Sequence, residues 1–263
     1  MKSSLGALPR RLAPGLDWLG DCYEFEFEGK VIHSYHSMFL VHGDEGSLVV
    51  DTGHAKDWAT LERQLDSLMA TGIAPVRWIF PTHSEAPHSA NTGRLLVKFP
   101  DAVVWGDVRD YHLSFPEHAE RFVAATVGDG LDLGRTRIIL GEAVIRDLVT
   151  SLWAYDTSSR TLFPGDGFAY MHHHEAGQCG LAAEEMPDLE IAEFTAIFAE
   201  YALYWTRFTD LSPYVRAMDD LLASTDCPVE IVAPGHGSPI LEPRMTVEKI
   251  KLGMSLGAGA HHG

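Results

Sequence analysis

The sequence predicts an α/β protein, a sandwich of two mixed β-sheets with helices on the outside. Three observations predict it. Short apolar runs recur along the chain and end in tight turns. Strand and helix patterns alternate as strands, helix, strand, helix, strands, helices, strand, an order that suits two packed sheets with helices on the outer faces. The 263 residues, 46% of them hydrophobic, are enough for one large domain with a full core.

Residues 1–16 carry Pro, Gly and Arg and are expected to be loosely ordered. Tyr23 to Glu28 alternates apolar and acidic residues, the pattern of a half-exposed strand whose charges form a solvated face. Tyr35 to Val41 and Ser47 to Val50 read as a hairpin around Gly43-Asp44-Glu45-Gly46. Trp58, Leu61, Leu65 and Leu68 recur at helical spacing, which predicts a helix over 55–71 with a core-facing stripe. Val76 to Phe80 reads as a buried strand, a second helix starts near Ser89, and Ala102 to Trp105 is a further strand. Leu131 to Leu140 and Ser151 to Phe163 supply the second sheet. A helical insert is expected at about 188–224, inside one domain spanning 1–263. In it Ile191, Phe194, Ile197, Phe198, Tyr201, Tyr204, Trp205 and Phe208 fall on one helical face, followed by a helix from about Pro213 to Ala223. That face is either ordinary core packing or, in part, a cover for a site or a dimer contact.

The residues with chemistry lie at the ends of the apolar runs. The densest stretch is Pro81-Thr82-His83-Ser84-Glu85-Ala86-Pro87-His88, directly after the Val76–Phe80 strand. Two imidazoles and a carboxylate leaving one strand end suit zinc, iron or manganese, and no thiol stands among them. Three more runs share this grammar. They end in Asp51-Thr52-Gly53-His54, in Gly165-Asp166-Gly167 and in Pro234-Gly235-His236-Gly237. Glycine lets the backbone turn sharply and approach a site closely.

These motifs in this order resemble the metallo-β-lactamase fold superfamily, from about residue 30 to about 242. The hydrolases of that superfamily carry His-x-His-x-Asp-His, whereas here Glu85 takes the second position and Pro87 the acidic one. His-x-Glu-x-x-His is similar to the diiron branch, the flavodiiron proteins and stand-alone oxygen-binding diiron proteins, which keep an aspartate where this chain has Pro87. The resemblance implies two metals. The first would take His83, Glu85, Asp147 and a bridging Asp166, with Asp147 standing where the family has a histidine and Glu142 as the fallback. The second would take His88, His236 and the same Asp166. Three carboxylates at the first metal favour iron, with manganese or zinc as alternatives. Pro87 offers no donor, so the second metal would have open positions or be weakly held. Asp51 matches the superfamily's structural aspartate, expected to hydrogen-bond the ligand loop rather than touch metal.

His172-His173-His174 follows the Asp166 turn. His172 is a candidate for the pocket mouth and Tyr170 for a hydrogen bond to whatever the metals bind; a solvent-facing loop is the plain alternative. His33, His36, His42 and His54 read as packed or surface histidines, with His36 able to face the pocket. His261 and His262 close a tail expected to be disordered.

The net charge of −17 argues against a nucleic-acid partner. Cys22, Cys179 and Cys227 are scattered, with no disulfide framework, as in a reducing cytoplasm. No signal peptide and no membrane span is expected. The chain is too short to add a flavodoxin domain, so no built-in FMN is expected and electrons would come from a donor protein or the substrate. The resemblance thus implies a diiron protein that binds, activates or reduces dioxygen or a related small oxidant. The alternatives are a metal-dependent hydrolase of an ester, lactone, thioester or phosphoester, and an oxygen or redox sensor without turnover.

Overall fold

The computed structural model describes residues 7–175, 178–186 and 189–259; His261 and His262 lie outside them. One sheet has seven strands in sequence order: β1 (Arg10–Ala13), β2 (Leu16–Phe27), β3 (Lys30–Val41), β4 (Ser47–Val50), β5 (Val76–Phe80), β6 (Val103–Gly106) and β7 (Phe122–Ala124). Its first half, β1 to β4, is an antiparallel meander; β4 to β7 run parallel. The other sheet orders β12 (Ile231–Val232), β11 (Thr161–Phe163), β10 (Leu152–Asp156), β9 (Arg137–Glu142) and β8 (Gly130–Asp132), with β11 and β12 parallel. Both sheets are therefore mixed.

Strand residues alternate between two faces, so neighbours in sequence enter different cores. Trp18, Phe39, Val50 and Phe80 point between the sheets, where they meet Leu140, Ala154 and Phe163 of the second sheet. Leu19, Leu40, Val49 and Ile79 point the other way. They pack under α1 (Trp58–Met69), through Leu61 and Leu65, and α3 (Thr92–Lys98), through Leu95 and Leu96. On the far side, Trp153, Leu162 and Val232 meet α5 (Ile191–Tyr201) and α7 (Pro243–Gly259) through Phe198, Ile250 and Met254. The result is four layers: helix, sheet, sheet, helix. Truncating the fully buried Trp18 to alanine would cost about 3–5 kcal/mol. The docking of α1 is also polar, because Gln64 receives the Gly20 amide at 2.9 Å and donates to the Gly20 carbonyl at 2.9 Å.

Three expectations change. Arg10–Ala13 is not loose but pairs antiparallel with β2, held by Arg11 on Asp17 and by Arg10 on Glu185. The aromatic helical face does not run unbroken to Phe208: α5 stops at Tyr201 and a 3-10 turn covers Tyr204–Phe208. The stripe is thereby split. Phe198 is buried, whereas Tyr201, Tyr204 and Phe208 are exposed. The C-terminal α7 was not expected from the sequence pattern; it packs on α5, and α6 (Ser212–Ala223) lies beside it. No helix among the described residues is long and apolar enough to cross a membrane.

Candidate metal centre

Parallel pairing brings the C-terminal ends of β4 and β5 side by side, and those of β11 and β12 likewise. Asp51 follows β4, and Thr82 to Glu85 follow β5, leading into the short helix α2 (Ala86–Ser89), which carries His88. Asp166 follows β11 and His236 follows β12. Backbone bonds lock these turns together: Gly235 N to Gly165 O at 2.9 Å, Ser37 N to Gly235 O at 3.0 Å, and Leu152 N to Thr82 O at 2.9 Å. Gly165 sits at φ +54°, in the left-handed region that glycine adopts without strain. A Cβ on Gly235 would stand 2.3 Å from His88 Cε1, so only glycine leaves room for that ring.

One ligand atom each from His83, Glu85, His88 and Asp166 lies within 4.8 Å of the others. Asp147 reaches the same place from the β9–β10 loop, its Oδ2 at 3.6 Å from His83 Nε2, beside Glu85 Oε2 at 3.8 Å. Asp166 Oδ1 stands 3.2 Å from His88 Nε2 and 3.9 Å from His236 Nε2. His83, His88, Asp166 and His236 are buried, whereas Glu85 stands at the exposed rim.

Each imidazole is oriented from behind. His88 Nδ1 contacts Asp51 Oδ2 at 2.9 Å, and His236 Nδ1 donates to the Tyr35 carbonyl at 2.7 Å. His83 Nδ1 lies 3.2 Å from Thr82 Oγ1, which itself donates to Asp51 Oδ1. Carbonyl and carboxylate partners hold the proton on Nδ1 and present Nε2 as a lone pair, the usual arrangement behind metal-binding histidines.

That arrangement leaves a deficit in the middle. His83 Nε2, His88 Nε2 and both carboxylate oxygens of Asp166 are buried without a hydrogen-bond partner. Lone pairs facing lone pairs in a buried site require a proton or a cation between them. Burial alone would lower His88, but Asp51 and Asp166 on either side push its affinity for a proton well above the ordinary value. Burial would raise Asp166, yet the His88 and His236 rings hold it well below the usual carboxylate range. Asp147 is pushed up to about 6 by burial and by the Asp166 charge. The donor set fits a metal ion, with three carboxylates around His83 and two imidazoles at Asp166.

Other expected residues fall elsewhere. Tyr170 is fully buried and gives its one hydroxyl proton to the Ser238 carbonyl at 2.9 Å, so that proton is not directed at the centre. His172 does not reach a pocket mouth. It is fully buried, bridged through its backbone to His33 and stacked on Tyr35 at 5.1 Å. Of its neighbours His173 is exposed and His174 buried, so the triplet is not a solvent-facing loop. The fallback Glu142 pairs with Arg146 at the surface. His36 lies near the centre, 5.7 Å from the His236 ring, bonded to Asp57 at 2.6 Å and stacked on Tyr23. The alternation from Tyr23 to Glu28 already placed Tyr23 on the apolar side of its strand, opposite the acidic residues. Phe198 of α5 lies 5.4 Å from the His236 ring, so part of the aromatic insert covers the centre.

Comparisons with known proteins bear on the family and the fold. At 26% identity over 255 residues the chain is similar to a coenzyme F420H(2) oxidase of Methanothermobacter marburgensis, covering 92% of this chain and 60% of that one. Its fold is similar to that of the rubredoxin oxygen:oxidoreductase of Desulfovibrio gigas, with TM-score 0.71, 14% identity, and 94% and 61% of the two chains covered. It is likewise similar to the flavodiiron protein of Giardia intestinalis, with TM-score 0.67, 17% identity, and 94% and 57% covered. The chain thus spans about 60% of the length of these relatives. Residues 32–236, more than half of the sequence, match the Metallo-beta-lactamase superfamily, and the chain belongs to that family.

Proposed function

We propose that this chain is a diiron oxidoreductase that reduces dioxygen or a related small oxidant, drawing its electrons from a donor protein. The observation that carries the reading is the company of His83 Nε2: Asp147 at 3.6 Å and Glu85 at 3.8 Å stand where a zinc hydrolase site is richer in nitrogen. The names of the relatives, an F420H(2) oxidase, an oxygen:oxidoreductase and a flavodiiron protein, support the same chemistry.

In this reading His83, Glu85, Asp147 and Asp166 hold one iron, and His88, His236 and Asp166 hold the other. Bound there, the two irons supply the electrons and the open positions that the oxidant needs. The protein's own groups do the rest. Asp166, kept ionised by the His88 and His236 rings, would be the ligand common to both ions. Asp51 and the Tyr35 carbonyl keep the Nε2 lone pairs of His88 and His236 free. Phe198 shuts water out on the His236 side, while the exposed Glu85 marks the open side. Pro87, with no donor atom, leaves the second ion short of protein ligands.

The test is metal analysis and oxygen uptake on protein made with iron supplied. About two irons per chain, with rapid uptake of dioxygen by the chemically reduced protein, is the expected result. Colourless protein holding zinc, inert to oxygen and active on esters, would overturn it in favour of hydrolysis. Stable oxygen binding without consumption would point to a sensor.

A further inference from the structure

A second cluster of ligand-type side chains lies away from the carboxylate-rich centre. Cys22 of β2, His33 of β3 and His174 present one ligand atom each within 4.8 Å of one another. Cys22 Sγ stands 3.3 Å from His174 Nε2 and 3.6 Å from His33 Nδ1. Cys179 Sγ completes the group, 3.6 Å from the same His174 Nε2. From these four side chains we propose a second metal site, a tetrahedral Cys2His2 site for zinc.

The distances suit that ion. Zn–S bonds of about 2.3 Å and Zn–N bonds of about 2.0–2.1 Å at the tetrahedral angle place sulfur and nitrogen about 3.6 Å apart. The three separations of 3.3, 3.6 and 3.6 Å match that value, while Cys179 Sγ, outside the 4.8 Å group of Cys22, His33 and His174, would have to close on the other ligands as the ion binds. The tautomer is also right. His174 Nδ1 donates to the Glu175 carbonyl at 3.0 Å, so Nε2 faces both sulfurs as a bare lone pair. A plain thiol–imidazole hydrogen bond uses one sulfur; here two flank one nitrogen. Two thiolates cancel the charge of Zn2+, and the two displaced thiol protons leave to solvent.

Strand register explains how the site arises. Cys22 pairs with Tyr35 and Glu24 with His33, so Cys22 and His33 share one face of the β2–β3 ribbon. Tyr23 and His36 share the opposite face, towards the carboxylate-rich centre. The soft site and the hard site are therefore on two sides of one ribbon. Zinc would clamp the segment carrying His174 and Cys179 onto β3. The same contact is reinforced by Gly180 N donating to Tyr35 Oη at 2.7 Å, and the Tyr35 carbonyl in turn orients His236. None of this depends on the diiron reading.

The experiment is cobalt and zinc loading of the full chain, read by spectroscopy, metal analysis and thiol alkylation. Cobalt is expected to give the thiolate charge-transfer band and intense visible bands of a tetrahedral sulfur site. The doubly substituted Cys22→Ser, Cys179→Ser protein is expected to lose those bands and one zinc per chain while keeping whatever metal the carboxylate-rich centre holds. On the wild-type protein, zinc is expected to protect Cys22 and Cys179, but not Cys227, from alkylation. His33→Asn offers a milder variant if the double one folds poorly. Three outcomes would each overturn the proposal: a cobalt spectrum without thiolate bands, equal alkylation with and without zinc, or a Cys22–Cys179 disulfide in protein made with zinc supplied.

Discussion

Asp51 and His88 form one unit: Asp51 Oδ2 stands 2.9 Å from His88 Nδ1 while its Oδ1 takes both the backbone and the hydroxyl of Thr82. One carboxylate at φ +58° thus sets the tautomer of one imidazole and the course of the loop bearing His83. Asn tolerates this left-handed backbone well, so Asp51→Asn should fold. An amide NH2 facing Nδ1 would draw the imidazole proton to Nε2 and block the lone pair meant for metal. The expected result is metal binding weaker by about 10–100-fold at this imidazole, read by chelator competition. Unchanged affinity would mean that His88 is not held by Asp51 in the way described.

Asp147 acts on the other side of the centre. Asp147→Ala removes an oxygen 3.6 Å from His83 Nε2 and should weaken the metal there by about tenfold or more, since even groups behind the ligands cost that much. Titration of the metal-free protein with ferrous iron, counted site by site, separates this loss from that of Asp51→Asn. Equal occupancy of both sites in the variant would remove Asp147 from the ligand set.

Gly235 tests packing rather than coordination. An alanine there places its Cβ 2.3 Å from His88 Cε1, and the ring is held between Asp51 and Asp166. Gly235→Ala is expected to cost about 1–3 kcal/mol of stability and to displace the His88 ligand. Calorimetry and metal analysis on the same sample check both effects.

Far from the centre, Asp17 joins β1 to the hairpin. Its buried carboxylate receives Arg11 Nε at 2.6 Å and meets His42 Nε2 at 2.7 Å. Burial would raise Asp17, but the His42 and Arg11 hydrogen bonds prevail and lower it. A carboxylate lowered in the folded state contributes stability above its ordinary value of 3.8 and loses it as pH falls through the lower folded value. With Arg11 half exposed, Asp17→Ala should therefore cost about 1–3 kcal/mol in urea unfolding at neutral pH, with the gap to wild type closing in acid below that ordinary value. A pH-independent gap would show that the ion pair contributes only through packing.

Much of this protein is legible residue by residue. The hairpin of β3 and β4, the Leu61–Leu65–Leu68 stripe, the strands β5 and β6 and the runs that supply the second sheet follow from apolar runs and from the helical period of about 3.6. The aromatic run from Ile191 to Phe208 misled, because helical spacing continues on paper through the break after Tyr201. Arg10–Ala13 misled in the opposite way: its order comes from partners at Asp17 and Glu185 that no local pattern announces.

The sequence by itself determined the four strand-end turns and the kinds of side chain they carry, because an apolar run, a glycine turn and a ligand are contiguous and encoded locally. Only the tertiary structure decided which groups meet. His83 gains Asp147 from a distant loop, Tyr170 turns away to Ser238, and His174 lies between the sulfurs of Cys22 and Cys179. The strand pairing sets which loops come together, and for Cys22 on β2 a shift of one residue would send the sulfur to the other side of the sheet.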